Sequence, residues 1–239
     1  FYNDLKSGKL PKTTCTNSAK FIEFFEPYLK NNKDILYICF SSALSKTYEC
    51  AFIAANELNG KYNINKIIVI DSKSASLGQG LLAYYAAKKR QNEVSVEKVK
   101  DWLEENKSKL CHWFTVDDLF HLKRGGRISA AAATFGSMLN VKPILNINNE
   151  GFLTPKGKIR GRKASLLALI NEMEKSFIKS ENEIIFISHG DALDDAKFVA
   201  DQIKEKFGIE NTIINYIGPT IGTHSGAGTI ALFFLGSER

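Results

Sequence analysis

The sequence is poor in the residues that mark several common protein classes. Its 239 residues include four cysteines, five prolines and two tryptophans, and the cysteines are dispersed, with no CxxC pair and no Cys/His cluster. Zinc sites and disulfide scaffolds need closely spaced cysteines, so we expect neither, and a cytoplasmic protein with reduced thiols is the default expectation. The longest apolar runs, Ile35–Phe40 and Ile230–Leu235, are far shorter than the ~20 residues of a membrane-spanning helix.

Motifs for nucleotide binding and hydrolytic catalysis are also missing. The chain has neither a Walker A motif nor a full GxGxxG fingerprint, and Gly78-Gln79-Gly80 is too short to serve as one. No Ser–His–Asp set can be assembled by spacing, and the scattered cysteines do not suggest a thiol nucleophile. These absences argue against a hydrolytic triad, a cysteine nucleophile and a zinc site.

Acidic residues are scarce in one segment of an otherwise balanced chain. Residues 121–163 hold nine lysines and arginines but only Glu150 as an acid, a net charge of +8 on a body of −2. Such a segment usually meets an anion: a phosphate, a carboxylate, an acidic partner or a nucleic acid. Few aromatics interleave with these cations, so a nucleic-acid binder is the lowest-ranked alternative.

Strand and helix patterns alternate through the first half of the chain. Ile35–Ser41 and Ile67–Asp71 are buried-strand runs, each followed by a helical pattern, and His112–Val116 is predicted as a third strand. An earlier helix is predicted at about 18–31, where Pro27 favours a kink or a break. This order predicts βαβ units and a parallel sheet covered on both faces.

The order of predicted strands and helices changes after about residue 124. A small-residue helix is predicted at Ser129–Leu139, and strands at 142–147 and 152–158 are predicted to form a hairpin. Two helix–strand pairs, a glycine-rich loop and a last strand near 230–235 complete the pattern. The predicted fold is α/β with two domains: residues 1–124 form a parallel α/β/α sheet domain, and residues 125–239 form an α+β domain.

Hydroxyl side chains cluster at three helix starts, two of which follow strands of the predicted sheet. In parallel α/β sheets ligands bind beyond the carboxyl ends of the strands, and helix N-termini favour anions. Each cluster alone is explained by helix capping, but together they favour a ligand site rich in oxygen atoms. The clusters are Thr13, Thr14, Thr16 and Ser18; Ser41, Ser42, Ser45 and Thr47; and Ser72, Ser74 and Ser76.

Three further motifs carry candidate ligand contacts. Lys123–Arg127 (KRGGR) is either a solvated turn or an anion clamp through Arg127, because a guanidinium binds carboxylate or phosphate in bidentate fashion. Lys156–Lys163 (KGKIRGRK) is either an exposed basic hairpin or a docking surface for a phosphate-bearing or acidic partner. His224 lies among four glycines, which predicts a tightly specified backbone and a ligand-facing imidazole. His112 and His121 are expected to serve packing or the surface.

Taken together, these segments resemble the DegV family of fatty-acid-binding proteins. The resemblance spans nearly the whole chain, and its most specific parts are KRGGRISAAAA and the GxHxGxG pattern around His224. The other matching segments are Lys12–Ser18 (KTTCTNS), Ser41–Tyr48 (SSALSKTY), Val69–Gly80 (VIDSKSASLGQG), Lys142–Leu145 (KPIL) and Lys158–Ala164 (KIRGRKA).

The resemblance implies two domains with a long-chain fatty acid buried between them. It implies no catalytic residue in the chain itself, no metal and no cofactor. It also implies a separate ATP-dependent kinase subunit that phosphorylates the bound carboxylate. It implies no stable insertion into a membrane and leaves transient contact with one open. Carried over, the carboxylate ligands would be Thr13 or Thr14, Ser42 or Ser45, and His224, with Arg127 nearby, while Arg160 and Arg162 would contact the kinase or the acyl-phosphate.

The chain also departs from the family pattern. Cys15-Thr16 stand where the family usually has Gln-Pro, and Ala43 and Lys46 stand where it usually has glycine. The family begins with a strand upstream of Phe1, so we expect that the first strand of the fold lies outside this sequence. The runner-up hypothesis is a phosphotransferase similar to dihydroxyacetone kinase that uses His224 covalently.

Overall fold

The computed structural model describes residues 1–62, 66–129 and 140–239. Across these residues the chain forms nine α-helices, one 3-10 helix and eight strands. In chain order the elements are α1 (Tyr2–Lys6), α2 (Ser18–Lys30), β1 (Ile35–Cys39), α3 (Thr47–Lys61), β2 (Ile67–Asp71), α4 (Leu77–Gln91), α5 (Val96–Asn106), β3 (Leu110–Thr115), α6 (Phe120–Arg124), β4 (Val141–Ile147), β5 (Leu153–Arg160), α7 (Arg162–Ser176), the 3-10 helix (Lys179–Glu181), β6 (Ile185–His189), α8 (Leu193–Phe207), β7 (Thr212–Tyr216), α9 (Pro219–Ser225) and β8 (Ile230–Leu235).

Strands β1 and β2 pair in parallel and are covered on one face by α2 and α3. The apolar stripe of α2 buries Phe21, Phe25 and Leu29 against the small-residue face of α3. Asn17 caps α2 by accepting a hydrogen bond from the Lys20 amide, a contact that stabilises a helix by roughly 1 kcal/mol. Of the expected kink or break at Pro27, the break is absent, because the helix continues through Pro27 to Lys30.

The larger sheet has six strands in the order β5-β4-β3-β8-β6-β7. Only β6 and β7 pair in parallel; the β5-β4, β4-β3, β3-β8 and β8-β6 pairs are antiparallel. Strand β3 was expected in the N-terminal parallel sheet, but it lies inside this sheet, between β4 and β8. Central strands are buried on both faces in either setting, so the apolar run alone does not identify the partners.

The two faces of the six-stranded sheet pack into different cores. On one face, residues of β3 and β8 such as Phe114 and Phe233 pack with α4 and α5. On the other, Trp113, Leu232 and Phe234 pack with α7 and α8. This alternation arises because successive side chains of a strand point to opposite faces of the sheet. Helices cover both faces, so the arrangement is a mixed α/β fold, as predicted.

One contact ties the parallel pair to the larger sheet at the turn of the β4–β5 hairpin. The Ser41 hydroxyl, just after β1, donates to the Gly151 carbonyl at 2.9 Å. Gly151 has a φ of +92°, and a Cβ there would lie 2.2 Å from Ser41 Oγ, so glycine is required on both counts. The predicted hairpin of the strands at 142–147 and 152–158 is therefore confirmed, and its turn also anchors the end of β1.

Most predicted elements that fall on described residues agree with the structure within a few residues. The predicted glycine-rich loop near the C-terminus contains α9, a short helix that begins at Pro219 and carries His224. The predicted helix at Ser129–Leu139 stays a prediction, because all of it after Ser129 lies outside the described residues, which resume at 140. The domain boundary near residue 125 stays a prediction. Over the described residues, no helix combines the length and the apolarity needed to cross a membrane.

Candidate functional site

A cavity of about 450 Å³ lies where the ends of β1 and β2 face the six-stranded sheet. Its volume falls in the range of ~300–1,000 Å³ that is typical of small-molecule sites. The walls combine apolar side chains with a group of hydroxyls and cations. The apolar lining is Phe40, Leu44, Ala75, Phe114, Leu122, Leu153, Ile217, Ile221 and Ala231.

The sheet supplies one wall of this cavity through three neighbouring strands. Phe114 on β3 and Ser188 on β6 both pair with Ala231 on β8, so the three lie in one row across the sheet. His112, two residues before Phe114, shares their face and also lines the cavity. The small side chain of Ala231 lies between Phe114 and Ser188 in this wall.

Five of the residues expected to bind a carboxylate line the cavity, and we call them the polar cluster: Thr13, Thr14, Ser45, Arg127 and His224. Its central contact joins Thr13 Oγ1 to His224 Nε2 at 2.8 Å. The two residues come from opposite ends of the chain, from the extended segment before α2 and from α9. The cluster is therefore assembled by the tertiary fold.

The imidazole of His224 packs against a glycine on its other side. A Cβ on Gly125 would lie 2.1 Å from His224 Nδ1, so only glycine leaves room for the ring. Within the described chain, the buried Nδ1 has no hydrogen-bond partner. Burial, and then the positive charges of Arg127 and Arg124, lower the pKa of His224, so the ring is neutral at pH 7. A neutral ring whose Nε2–H donates to Thr13 leaves the threonine hydroxyl free to donate to a ligand.

Two arginines bring positive charge to the cluster and fix its backbone. The Arg127 Nε donates to the Leu44 carbonyl at 3.2 Å, which ties the KRGGR turn to the loop after β1. The Arg124 guanidinium donates to the carbonyls of Pro11 and Thr223, each at 3.1 Å. Arg124 thus holds the segment before Thr13 and the residue before His224 in one place.

The hydroxyl cluster after β1 divides between the cavity and the surface. The Ser45 hydroxyl lines the cavity and lies 2.8 Å from Thr47 Oγ1. Ser42 is exposed and does not line the cavity; its amide donates to Asp71, and its hydroxyl accepts from Lys73. The structure therefore brings Ser45, and not Ser42, to the polar cluster.

Arg160 and Arg162, the expected partner contacts, differ in their surroundings. Arg162 donates through Nε to Asp195 at 2.9 Å and through Nη2 to the Gly228 carbonyl at 2.6 Å. Arg160 is exposed on the edge strand β5 and forms no ion pair with any residue that the structure describes. Lys156 and Lys158 on the same strand are exposed as well.

Several cavity residues were not predicted as site residues. His112 is buried, lies 3.3 Å from Ser74 Oγ through Nδ1, and has its pKa lowered to about 3 by burial and then by Arg239. The Ser76 hydroxyl donates to Ser188 at 3.0 Å in the same cavity. Ser76 belongs to one of the three hydroxyl clusters identified in the sequence. Ser188 is a single serine within a strand, and nothing in the sequence around it indicates a site. Thr220, Ser225 and Thr229 also line the cavity.

No metal site is evident in the described ranges, 1–62, 66–129 and 140–239. Across them, no three His, Cys, Asp or Glu side chains are grouped so that they could hold a metal ion. The chemistry available in the cavity is hydrogen bonding from neutral hydroxyls, positive charge from arginine, and apolar contact. These features suit an amphipathic ligand with an anionic head.

Comparison with known proteins finds relatives along nearly the whole chain. The model of an uncharacterised protein family, DegV, matches residues 1–237. A DegV domain-containing protein of Clostridium perfringens is 48% identical over 239 residues, which cover 100% of this chain and 82% of the relative. The crystal structure of DegV from Bacillus subtilis, described as a fatty acid binding protein, superposes with a TM-score of 0.81 at 29% identity and covers 98% of this chain and 82% of that one. The Fatty Acid Kinase B3 protein of Streptococcus pneumoniae, loaded with linoleic acid, has the same fold, with a TM-score of 0.87 at 21% identity and coverage of 98% and 82%.

Proposed function

This chain belongs to the DegV family, and we propose that it binds one long-chain fatty acid in the cavity and presents it to a separate ATP-dependent kinase subunit. The observation that carries the proposal is the Thr13–His224 hydrogen bond within a largely apolar cavity. Relatives described as fatty-acid-binding proteins support the same ligand class.

In this proposal the polar cluster binds the carboxylate. Thr13, Thr14 and Ser45 supply neutral donors, and Arg127 and Arg124 offset the negative charge without a direct ion pair being required. His224 orients the Thr13 hydroxyl, so that its hydrogen faces the ligand and not the ring. The head is thereby held in one orientation.

The apolar walls would supply most of the affinity. Each buried CH₂ contributes ~0.8 kcal/mol, so a sixteen-carbon chain contributes roughly 12 kcal/mol before the cost of association. The head contributes less, because a carboxylate is well solvated in water. We therefore expect the ligand to remain bound through purification.

The chain is proposed as a carrier whose bound carboxylate is phosphorylated by its partner. The partner contact is the row of Lys156, Lys158 and Arg160 on the edge strand β5, where exposed cations face solvent. A kinase that handles ATP and an acyl-phosphate needs positive charge near the transferred group, and a basic row suits an acidic or phosphate-bearing surface.

Native mass spectrometry of the purified and the delipidated chain tests the binding function. The purified chain should carry one fatty acid per molecule, and the delipidated chain should regain one from a mixture of graded chain lengths. ATP turnover with a fatty acid kinase subunit should then require both proteins and the lipid. A chain that carries no lipid and takes up none would refute the proposal, and phosphate transfer by the chain alone would favour the phosphotransferase.

A further inference from the structure

Two of the four cysteines are open to solvent and two are not. Cys15 is exposed and Cys50 is partly exposed, whereas Cys39 and Cys111 are buried. Burial raises the pKa of the Cys39 thiol to about 12 and that of Cys111 to about 11, which keeps both protonated. Only Cys15 and Cys50 can therefore meet an oxidant dissolved in water.

Cys15 lines the cavity, and Cys50 lies in the first turn of the neighbouring helix α3. Cys15 belongs to the segment Leu10–Asn17, which we call the strap, and its Sγ is 3.5 Å from Thr47 Oγ1 in the first turn of α3. Cys50 follows Thr47 by three residues, a spacing that places their Cβ atoms ~5–6 Å apart on one helix face. Burial and then the adjacent Cys15 raise the pKa of the Cys50 thiol, as expected for neighbours in contact.

We propose that Cys15 and Cys50 form an oxidisable thiol pair, whose disulfide fastens the strap to α3 and slows exchange of the bound ligand. The part of the proposal that concerns exchange rests on the proposed fatty-acid binding, and the part that concerns the disulfide does not. No other pair among the four cysteines is open to solvent on both sides.

The oxidant is a hydroperoxide, such as hydrogen peroxide. The Cys15 thiolate attacks one peroxide oxygen, the O–O bond breaks, and the departing hydroxide takes up a proton, which leaves a sulfenic acid and water. The Cys50 thiolate then attacks the Cys15 sulfur, the S–O bond breaks, and a second water leaves as the S–S bond forms. Two thiols and one peroxide thus become one disulfide and two waters. The more exposed Cys15 reacts first, because the raised pKa of Cys50 reduces its thiolate fraction.

Formation of the disulfide requires the strap to bring Cys15 close to Cys50. A disulfide needs the Cβ atoms of the two cysteines to lie ~3.5–4.5 Å apart. The contact of Cys15 Sγ with Thr47 Oγ1 does not by itself bring the Cβ atoms of Cys15 and Cys50 that close. The strap has no regular structure, and it is held at Pro11 by Arg124, at Thr13 by His224 and at Asn17 by the cap of α2. Cys15 lies between the last two of these contacts.

A fastened strap would act on the ligand through Thr13 and Thr14, which lie next to Cys15 and line the cavity. A ligand that leaves past the strap must displace it from α3, and a covalent link opposes that displacement. We expect the exchange of bound fatty acid to slow at least tenfold on oxidation. The effect on equilibrium affinity should be smaller, because the disulfide adds no contact with the ligand.

The disulfide is tested on the full chain, without reference to any ligand. Titration with hydrogen peroxide, followed by proteolysis and mass spectrometry, should yield one cross-linked peptide pair that contains Cys15 and Cys50, and dithiothreitol should reverse it. The Cys15→Ser and Cys50→Ser variants should lack the cross-link, and the buried-site control Cys39→Ala should retain it. Absence of the cross-link in the wild type, or oxidation of Cys15 that stops at sulfenic or sulfinic acid, would overturn the pair.

The consequence for the ligand is read from the release of a fluorescent fatty acid. The oxidised wild type should release it at least tenfold more slowly than the reduced wild type, while Cys50→Ser should release it at one rate under both conditions. Equal rates from the reduced and the cross-linked protein would overturn the effect on exchange. If the reduced protein binds no fatty acid at all, the proposed function fails, and the cross-link still decides whether the thiol pair exists.

Discussion

The Thr13 hydroxyl and the His224 imidazole meet at 2.8 Å, although 211 positions separate them in the chain. Their contact joins the strap to α9 and lies at the head site of the proposed function. Arg124 reinforces the same junction, because its guanidinium donates to carbonyls on both sides. Each partner of the bond can therefore be tested by a change that leaves the other in place.

Thr13→Val keeps the shape of the side chain and removes its hydroxyl. We expect affinity for a long-chain fatty acid to fall about 10–100-fold, because a hydrogen bond to a charged group is worth ~1.5–3 kcal/mol and ~1.4 kcal/mol is a factor of ten. Calorimetry on the delipidated protein measures the change. Ser42→Ala is the matched control, since Ser42 lies outside the cavity, and its affinity should equal that of the wild type. Unchanged affinity in Thr13→Val would remove Thr13 from the head site.

Gly125→Ala tests whether the position of the ring of His224 matters. A Cβ there would lie 2.1 Å from His224 Nδ1, so the ring must move away from Thr13 or the backbone must shift. Overpacking of this kind costs ~1–3 kcal/mol of unfolding free energy, and we expect at least a tenfold loss of affinity as well. Gly157→Ala is the control, because a Cβ there meets nothing within 4 Å. Wild-type affinity in Gly125→Ala would show that the geometry of the ring is unimportant.

Stability should fall as the pH is lowered from 7 to 5. Burial, and then Arg239, lower the pKa of His112 to about 3, while the unfolded chain binds its proton near pH 6.5. The unfolded state thus holds more protons below pH 6.5, and the free energy of unfolding falls with pH, by about 2 kcal/mol from His112 over these two units. The lowered pKa values of His121, His189 and His224 act in the same direction.

Urea unfolding at pH 7, 6 and 5 measures this slope. His112→Gln should have a shallower slope, whatever its stability at pH 7, because the residue that gains the proton on unfolding is absent. Carboxylates with lowered pKa values, such as Glu26 at about 2, take up their protons at lower pH. The change in unfolding free energy between pH 7 and pH 5 therefore comes mainly from histidine. An identical slope in His112→Gln would mean that His112 is not the buried neutral group described here.

We expect Arg162 to stabilise the fold and Arg160 to contact the kinase partner. Arg162→Gln removes hydrogen bonds to Asp195 and to the Gly228 carbonyl, so it should cost about 1–3 kcal/mol of unfolding free energy. Arg160→Gln should change stability by no more than about 0.5 kcal/mol, because Arg160 is exposed on an edge strand. In the coupled kinase assay Arg160→Gln should raise the concentration of carrier needed for half-maximal rate. If Arg160→Gln reaches half-maximal rate at the same carrier concentration as the wild type, the partner surface does not include Arg160.

Much of the fold and most of the polar cluster could be predicted from sequence because their signals are local. The apolar runs of β1 and β2, the hydroxyls near Thr13 and Ser45, and the glycines around His224 each stand out in the chain. The partners of β3 could not be predicted, since a strand buried on both faces looks the same in parallel and antiparallel sheets. Ser188 was missed because only the register of β6 against β8 turns it toward the cavity.

Ala231→Leu should shorten the acyl chain that the cavity accepts. Ala231 lies in the sheet wall between Phe114 and Ser188, and a larger side chain there takes space from the ligand. If the longest bound chain loses burial of two CH₂ groups at ~0.8 kcal/mol each, its affinity falls roughly 15-fold, while shorter chains are unaffected. Mass spectrometry of the copurified lipid should therefore show a shift to shorter chains. Ala83→Leu, on the exposed face of α4, is the control and should leave the lipid profile unchanged. Total lipid occupancy should stay near one, because Ala231→Leu alters the cavity wall and leaves the polar cluster unchanged. An unchanged distribution of chain lengths in Ala231→Leu would mean that the acyl chain does not run along this wall.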